Sequence, residues 1–197
     1  MLPNEEGAGI MNVLVSREKI IGASKLQLVT GDITAQDTEA VVNAANSMLA
    51  PGGGVAGAIH RAAGPLLWKE CSTLGGCPTG EARISKGYNL PNKYVIHTVG
   101  PVFSNSGEDP VLLRSCYMSS LKLADEHDVR TIAFPALSTG IFGYPVREAA
   151  RVALRTIREY LEGETSLEIV RMVLYDRASF DMHAEVLDAM EKEGGEV

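Results

Sequence analysis

The chain reads as an α/β protein, a three-layer α/β/α sandwich around a central mixed, mostly parallel sheet of about six or seven strands. Three observations predict this. Short apolar runs alternate with longer stretches of helical periodicity along the 197 residues. Several of those runs are apolar at every position, as a strand is when helices cover both faces of its sheet. Twice, a strand-like run passes through a glycine-bearing loop into a helical stretch, as in parallel α/β units.

Taken in order, strands are expected near MNVLV (11–15), KLQLVT (25–30), AVVNA (40–44), EARIS (81–85), YVIHTV (94–99), TIAFP (131–135) and SLEIVRMVLYD (166–176). Helices are expected over VAGAIHRAA (55–63), DPVLLRSCYMSSLKLADEH (109–127), PVREAARVALRTIREYL (145–161) and SFDMHAEVLDAMEK (179–192). The third is the clearest. Val146, Ala149, Ala150, Ala153, Ile157, Tyr160 and Leu161 fall on one stripe, and Arg147, Glu148, Arg151, Arg155 and Arg158 take the other. Pro145 sits near its first turn, where a missing N–H is harmless.

The length suits one well-buried core. Residues 1–24 read as an N-terminal extension with an edge strand, 25–193 as a single domain and 194–197 as a tail. The first ten residues and the terminal EKEGGEV are polar and glycine-rich, so both ends are expected to fray. A net charge of −7 without any run of Lys or Arg argues against generic nucleic-acid binding. Cys71, Cys77 and Cys116 are too few and too scattered for a disulfide framework or a metal site, so free thiols in a reducing compartment are expected. No stretch reaches the ~20 apolar residues of a membrane span, and MLPNEEGAGI carries acids where a signal peptide needs bases. A cytoplasmic protein without metal or membrane contact is the expectation.

The stretch NAANSMLAPGGGVAG (43–57) carries the chemistry. Gly52, Gly54 and Gly57 spell GxGxxG, yet NSMLAP separates them from the preceding strand and no acid-terminated strand follows about 20 residues later, so a Rossmann NAD oxidoreductase is a distant alternative. A Walker loop fails because no GK[ST] follows. The glycines instead leave the first N–H groups of a helix bare, at the positive end of its dipole, where a phosphate or diphosphate fits. LSTGIFGYP (137–145) repeats the layout, and two such loops at strand ends can clamp a diphosphate from both sides.

With VTGDIT (29–34), VVNAANSML (41–49), GGGVAGAIHRAAG (52–64), CPTGEA (77–82), YVIHTVGP (94–101), IAFPALSTGIFGYP (132–145) and VLYD (173–176) in this order, the chain resembles the macro domain family over residues 25–190. IHRAAGP and CPTG are most similar to its MacroD-type branch, whose members remove ADP-ribose from protein acidic side chains and deacetylate O-acetyl-ADP-ribose. The resemblance implies ADP-ribose, mono-ADP-ribosylated proteins and O-acetyl-ADP-ribose as partners, and no cofactor.

It also implies roles for individual residues. Asp32 accepts from the adenine amino group beside the Ile33 backbone, and Tyr175 stacks on the base. Asn46 bonds the distal ribose; Asn43 is counted with the ligand-binding residues, and its expected part is to brace the loop, since an amide can bond backbone where the chain turns. Gly53, Gly54 and Val55 on one side, and Ser138, Thr139, Gly140, Ile141 and Phe142 on the other, hold the diphosphate and distal ribose. One position departs from the pattern. After GGGV the hydrolase branch has an aspartate that places or activates water, and here it is Ala56. Asn46 and His60, one helical turn beyond Ala56, remain as candidate catalytic groups. A slow hydrolase is the leading expectation, and a non-catalytic ADP-ribose reader is the alternative.

Overall fold

The computed structural model describes residues 15–194. Strands β1 (Val15–Ile21), β2 (Ser24–Thr30), β3 (Ala40–Ala44), β4 (Ala82–Lys86), β5 (Tyr94–Thr98), β6 (Thr131–Phe134) and β7 (Ile169–Leu174) form one sheet in the order β1-β2-β7-β6-β3-β5-β4. The five inner strands run parallel, and β1 and β4 pair antiparallel at the edges. The mixed, mostly parallel sheet is therefore present.

Helices α1 (Gly54–Ala63) and α2 (Pro65–Cys71) cover one face; α3 (Asp109–Glu126), α4 (Val146–Leu161) and α5 (Arg177–Gly194) cover the other. This explains the strands that are apolar throughout. Val41, Val95, Ala133 and Val173 meet Ile59, Ala63 and Leu67 of the smaller layer. Their chain neighbours Val42, Ile96, Ile132, Phe134, Met172 and Leu174 pack under Leu121, Leu154 and Leu187. Each such aliphatic side chain contributes about 1.5–3 kcal/mol by leaving water.

Some element bounds differ from expectation, and one helix is additional. The first strand lies at Val15–Ile21 rather than 11–15; residues 11–14 lie outside the described residues. Its pairing is set by the hairpin at Gly22, where φ is +59°. The last strand stops at Leu174, which leaves Tyr175 outside it. Helix α5 continues through Gly194, past the expected end at Lys192, so residues 191–194 are helical rather than frayed. The expectation of fraying at 1–10 and 195–197 also lies outside the described residues. Finally, α2 is a separate helix. Gly64, at φ +83°, ends α1 with its N–H on the His60 carbonyl, and Pro65 starts α2 in a new direction.

Candidate active site

Because five neighbouring strands are parallel, everything that follows their C-terminal ends emerges at one edge of the sheet. Gly31–Asp32 after β2, Tyr175 after β7, the 135–145 loop after β6, the 45–53 loop after β3 and Val99–Phe103 after β5 share that edge. The β3/β6 pair is a topological switch point. The chain leaves β3 toward α1 on one face and leaves β6 toward α4 on the other. A crevice opens at such a point in parallel α/β sheets.

The 45–53 loop brings a bare helix start to this crevice. Gly53 is the N-cap of α1 and supplies no side-chain cap. Among the described residues, the amides of Gly54, Val55 and Ala56 donate to no protein group; the first bond of the helix is Gly57 N–H to the Gly53 carbonyl. A Cβ at Gly53 or Gly54 would meet nothing, whereas one at Gly57 would overlap the Gly52 carbonyl. The glycines thus divide into two that leave room above the loop and one that lets the helix close onto it.

The side chain that braces this loop is Asn46, whose Nδ2 donates to the Ala50 carbonyl at 2.9 Å and whose Oδ1 accepts from Ala50 N–H at 3.0 Å. One amide hydrogen and one lone pair stay available for a ligand. Asn43, expected to brace the loop, is fully buried in β3, where its Nδ2 donates to Nδ1 of His97 at 3.1 Å. The bracing therefore belongs to the second asparagine, because the first lies within β3, whose two faces are both covered, and the second lies in the loop.

Across the switch point, the turn at 138–142 is held by its ends. Tyr144 N–H donates to the Ser138 carbonyl, Gly143 N–H to that of Gly140, and Phe103 N–H to that of Phe142, at 2.9–3.0 Å. The amides of Thr139, Gly140, Ile141 and Phe142 donate to no protein group among the described residues. Ser138 sits at φ +64° with its hydroxyl buried and without a partner, and a Cβ on Gly100 would overlap that hydroxyl. Strain of this kind costs on the order of 1–3 kcal/mol and gathers at functional sites. Ile141 is 100% exposed and Phe142 half-buried, both at the mouth.

At the far end of the edge, Asp32 caps a short 3-10 turn, Ile33–Ala35. Its Oδ1 accepts from Thr34 N–H at 2.8 Å and from the Thr34 hydroxyl at 2.7 Å, and Oδ2 carries no bond among the described residues. The register Thr30↔Leu174 puts Tyr175, 94% exposed, beside Gly31. A carboxylate oxygen and an uncovered ring thus stand at adjacent strand ends.

Ala56 and His60 lie one turn apart inside α1. His60 is 7% exposed, and neither ring nitrogen has a hydrogen-bond partner of good geometry. Burial lowers its pKa, and the Leu49 carbonyl offsets this in part, so the ring is neutral at pH 7. Beneath it lies His97, with ring centroids 6.4 Å apart. Asn43 Nδ2 can only donate, so His97 Nδ1 is the acceptor and Nε2–H donates to Ser85 Oγ at 2.8 Å. Burial and the neighbouring His60 push the His97 pKa down to about 3. Burial, with Glu70 nearby, pushes Cys71 up to about 11, which rules it out as a thiolate nucleophile. All three cysteines are free and buried.

Sequence reasoning overlooked His97 and Arg171. Each is a polar residue inside an otherwise apolar strand run, YVIHTV and EIVRMVL, and that interruption is the signal for a buried network. It also missed a groove of about 370 Å³ along the α1/α2 joint, lined by Gly52, Gly57, His60, Arg61, Pro65 and Trp68. Among the described residues, no group of three His, Cys, Asp or Glu side chains is arranged to hold a metal, and no helix is long and apolar enough to cross a membrane.

The macro domain family model matches residues 42–153. The chain is 54% identical over 166 residues to the macro domain-containing protein CT2219 of Chlorobaculum tepidum, spanning 83% of this chain and 96% of that one. It is 58% identical over 140 residues to ADP-ribose glycohydrolase MACROD1 of Bos taurus, spanning 70% of this chain and 43% of the relative. Among solved structures, the Oceanobacillus iheyensis macrodomain with ADP superimposes with a TM-score of 0.87 at 38% identity, over 90% of this chain and 97% of that one. The Trypanosoma brucei macrodomain in complex with ADP-ribose gives 0.78 at 45% identity, over 82% and 68%.

Proposed function

The chain belongs to the macro domain family, and from that premise we propose that it binds ADP-ribose and slowly hydrolyses mono-ADP-ribosyl esters on protein acidic side chains, O-acetyl-ADP-ribose, or both. One observation carries this reading: two sets of unpaired backbone amides, at Gly54–Ala56 and Thr139–Phe142, leave adjacent parallel strands at a switch point. Such amides receive a diphosphate without a cationic side chain. The relatives named for ADP-ribose glycohydrolysis and the neighbour solved with ADP-ribose support the same ligand. Asp32 and Tyr175 then take the adenine, Asn46 and Phe142 the distal ribose. The free, buried thiols support action in a reducing compartment such as the cytoplasm.

In this reading cleavage resembles glycoside hydrolysis. A water oxygen bonds to C1 of the distal ribose as the bond to the leaving carboxylate breaks, and the carboxylate keeps the electron pair. Positive charge growing at C1 is stabilised by the diphosphate that the two loops hold close. The water proton passes to a diphosphate oxygen or to the neutral His60. Ala56 can neither accept a proton nor hold water by a charged hydrogen bond, and loss of one positioned base costs about 10²–10⁴ in rate. The same alanine is the observation that favours the second reading, a binding module without turnover.

Calorimetry with ADP-ribose, ADP and NAD tests the site, and ADP-ribose is expected to bind tightest. Incubation with a protein mono-ADP-ribosylated on acidic side chains tests the reaction. The parent is expected to release ADP-ribose slowly and Ala56→Asp at least about tenfold faster. If neither protein releases any, the hydrolase reading fails and the binding module stands.

A further inference from the structure

We propose that Arg171 is a positioning residue for adenine recognition, holding the Asp32 backbone in place through Gln36. The inference rests on the ligand reading above, in which Asp32 meets the adenine amino group.

Arg171 occupies the middle of β7 and is 8% exposed, on the sheet face toward α1 and α2, with Val29 and Val173 next along the strands. Its guanidinium donates from Nε to Gln27 Oε1 at 2.9 Å, and from Nη1 to Gln36 Oε1 at 3.1 Å and Asp37 Oδ1 at 2.7 Å. A guanidinium only donates, so both glutamine oxygens must face it and both amide nitrogens must point away. The Gln27 nitrogen then reaches Glu18 at 2.8 Å, and the Gln36 nitrogen donates to the carbonyl of Asp32 at 2.7 Å. The arginine thereby dictates which way the Gln36 amide points, and only that orientation grips Asp32.

The other side of the segment is fixed as well. Asn92 Nδ2 donates to the carbonyls of Gln36 at 3.0 Å and Thr38 at 2.6 Å. Residues 32–38 are thus clamped between the sheet and the 92 position, and Asp32 is delivered with Oδ1 occupied by Thr34 and Oδ2 open. Stability alone is a weak reason for such an arrangement. The desolvation cost of a buried cation is seldom outweighed by pairing with an acid as exposed as Asp37, whose side chain is 84% accessible.

The test compares dissociation constants for ADP-ribose and its inosine counterpart, in which a ring carbonyl replaces the adenine amino group. Gln36→Glu keeps an acceptor for Arg171 but removes the donor to the Asp32 carbonyl; Arg171→Met keeps the stem and removes the donors. Both are expected to shrink the parent's preference for ADP-ribose about five- to tenfold, and Gln36→Glu to do so with a melting temperature close to the parent's. Variants that keep the preference within twofold, whether or not they melt earlier, overturn the inference. So does a parent that binds both ligands equally. A parent that binds neither overturns the ligand reading itself.

Discussion

At position 97 a neutral imidazole is enclosed by Asn43, Ser85 and Cys71, and its burial becomes a property of the whole chain through proton linkage. The folded pKa is near 3, far below the ordinary value of about 6.5 in the unfolded chain. Below pH ~6.5 the unfolded state binds the proton and the folded state does not, so stability falls as pH drops from about 6.5 toward 3. The loss approaches ~1.4 kcal/mol per pH unit for one such group. His60 and His183 are shifted down by burial too and act in the same direction. Melting temperature is therefore expected to fall steadily from pH 7 to pH 5. His97→Gln, whose side chain has no proton to gain, should flatten that slope; a parent with a flat profile would contradict the assignment.

Loop and helix meet at α1, where two glycines with different surroundings predict opposite phenotypes. Gly53 has φ −88° and ψ 179°, a conformation open to any residue, and a Cβ there points into empty space. Gly53→Val is expected to melt within ~1 °C of the parent, since surface changes clear of packing are near neutral. It should also weaken ADP-ribose at least about tenfold by standing over the amides proposed to hold the diphosphate. Gly57→Ala drives a methyl onto the Gly52 carbonyl, an overpacking that costs about 1–3 kcal/mol. Thermal melting and calorimetry on the two variants separate a glycine kept for the ligand from one kept for the fold.

Over the whole molecule, the ligand proposed to touch Asp32, both loops and Tyr175 would link the ends of β2, β3, β6 and β7, which come together only in the folded state. At 100 times its dissociation constant ADP-ribose adds about 2.7 kcal/mol, a rise in melting temperature of about 5–10 °C for a chain of this size. A scan with and without the ligand measures it. Much of this architecture was legible beforehand. Val41–Val42, Ile132–Phe134 and Met172–Leu174 announced strands buried on both faces, and the alanines of α4 announced its inward stripe. Hydrophobic burial acts residue by residue along the chain, and the glycine loops declared bare amides for the same local reason. Strand order, the switch point between β3 and β6, the burial of Asn43 on His97 with the loop braced by Asn46, and the Arg171–Gln36–Asp32 relay arose only on folding. These depend on hydrogen bonds between segments as far as 144 residues apart, and no local pattern specifies which donor meets which acceptor.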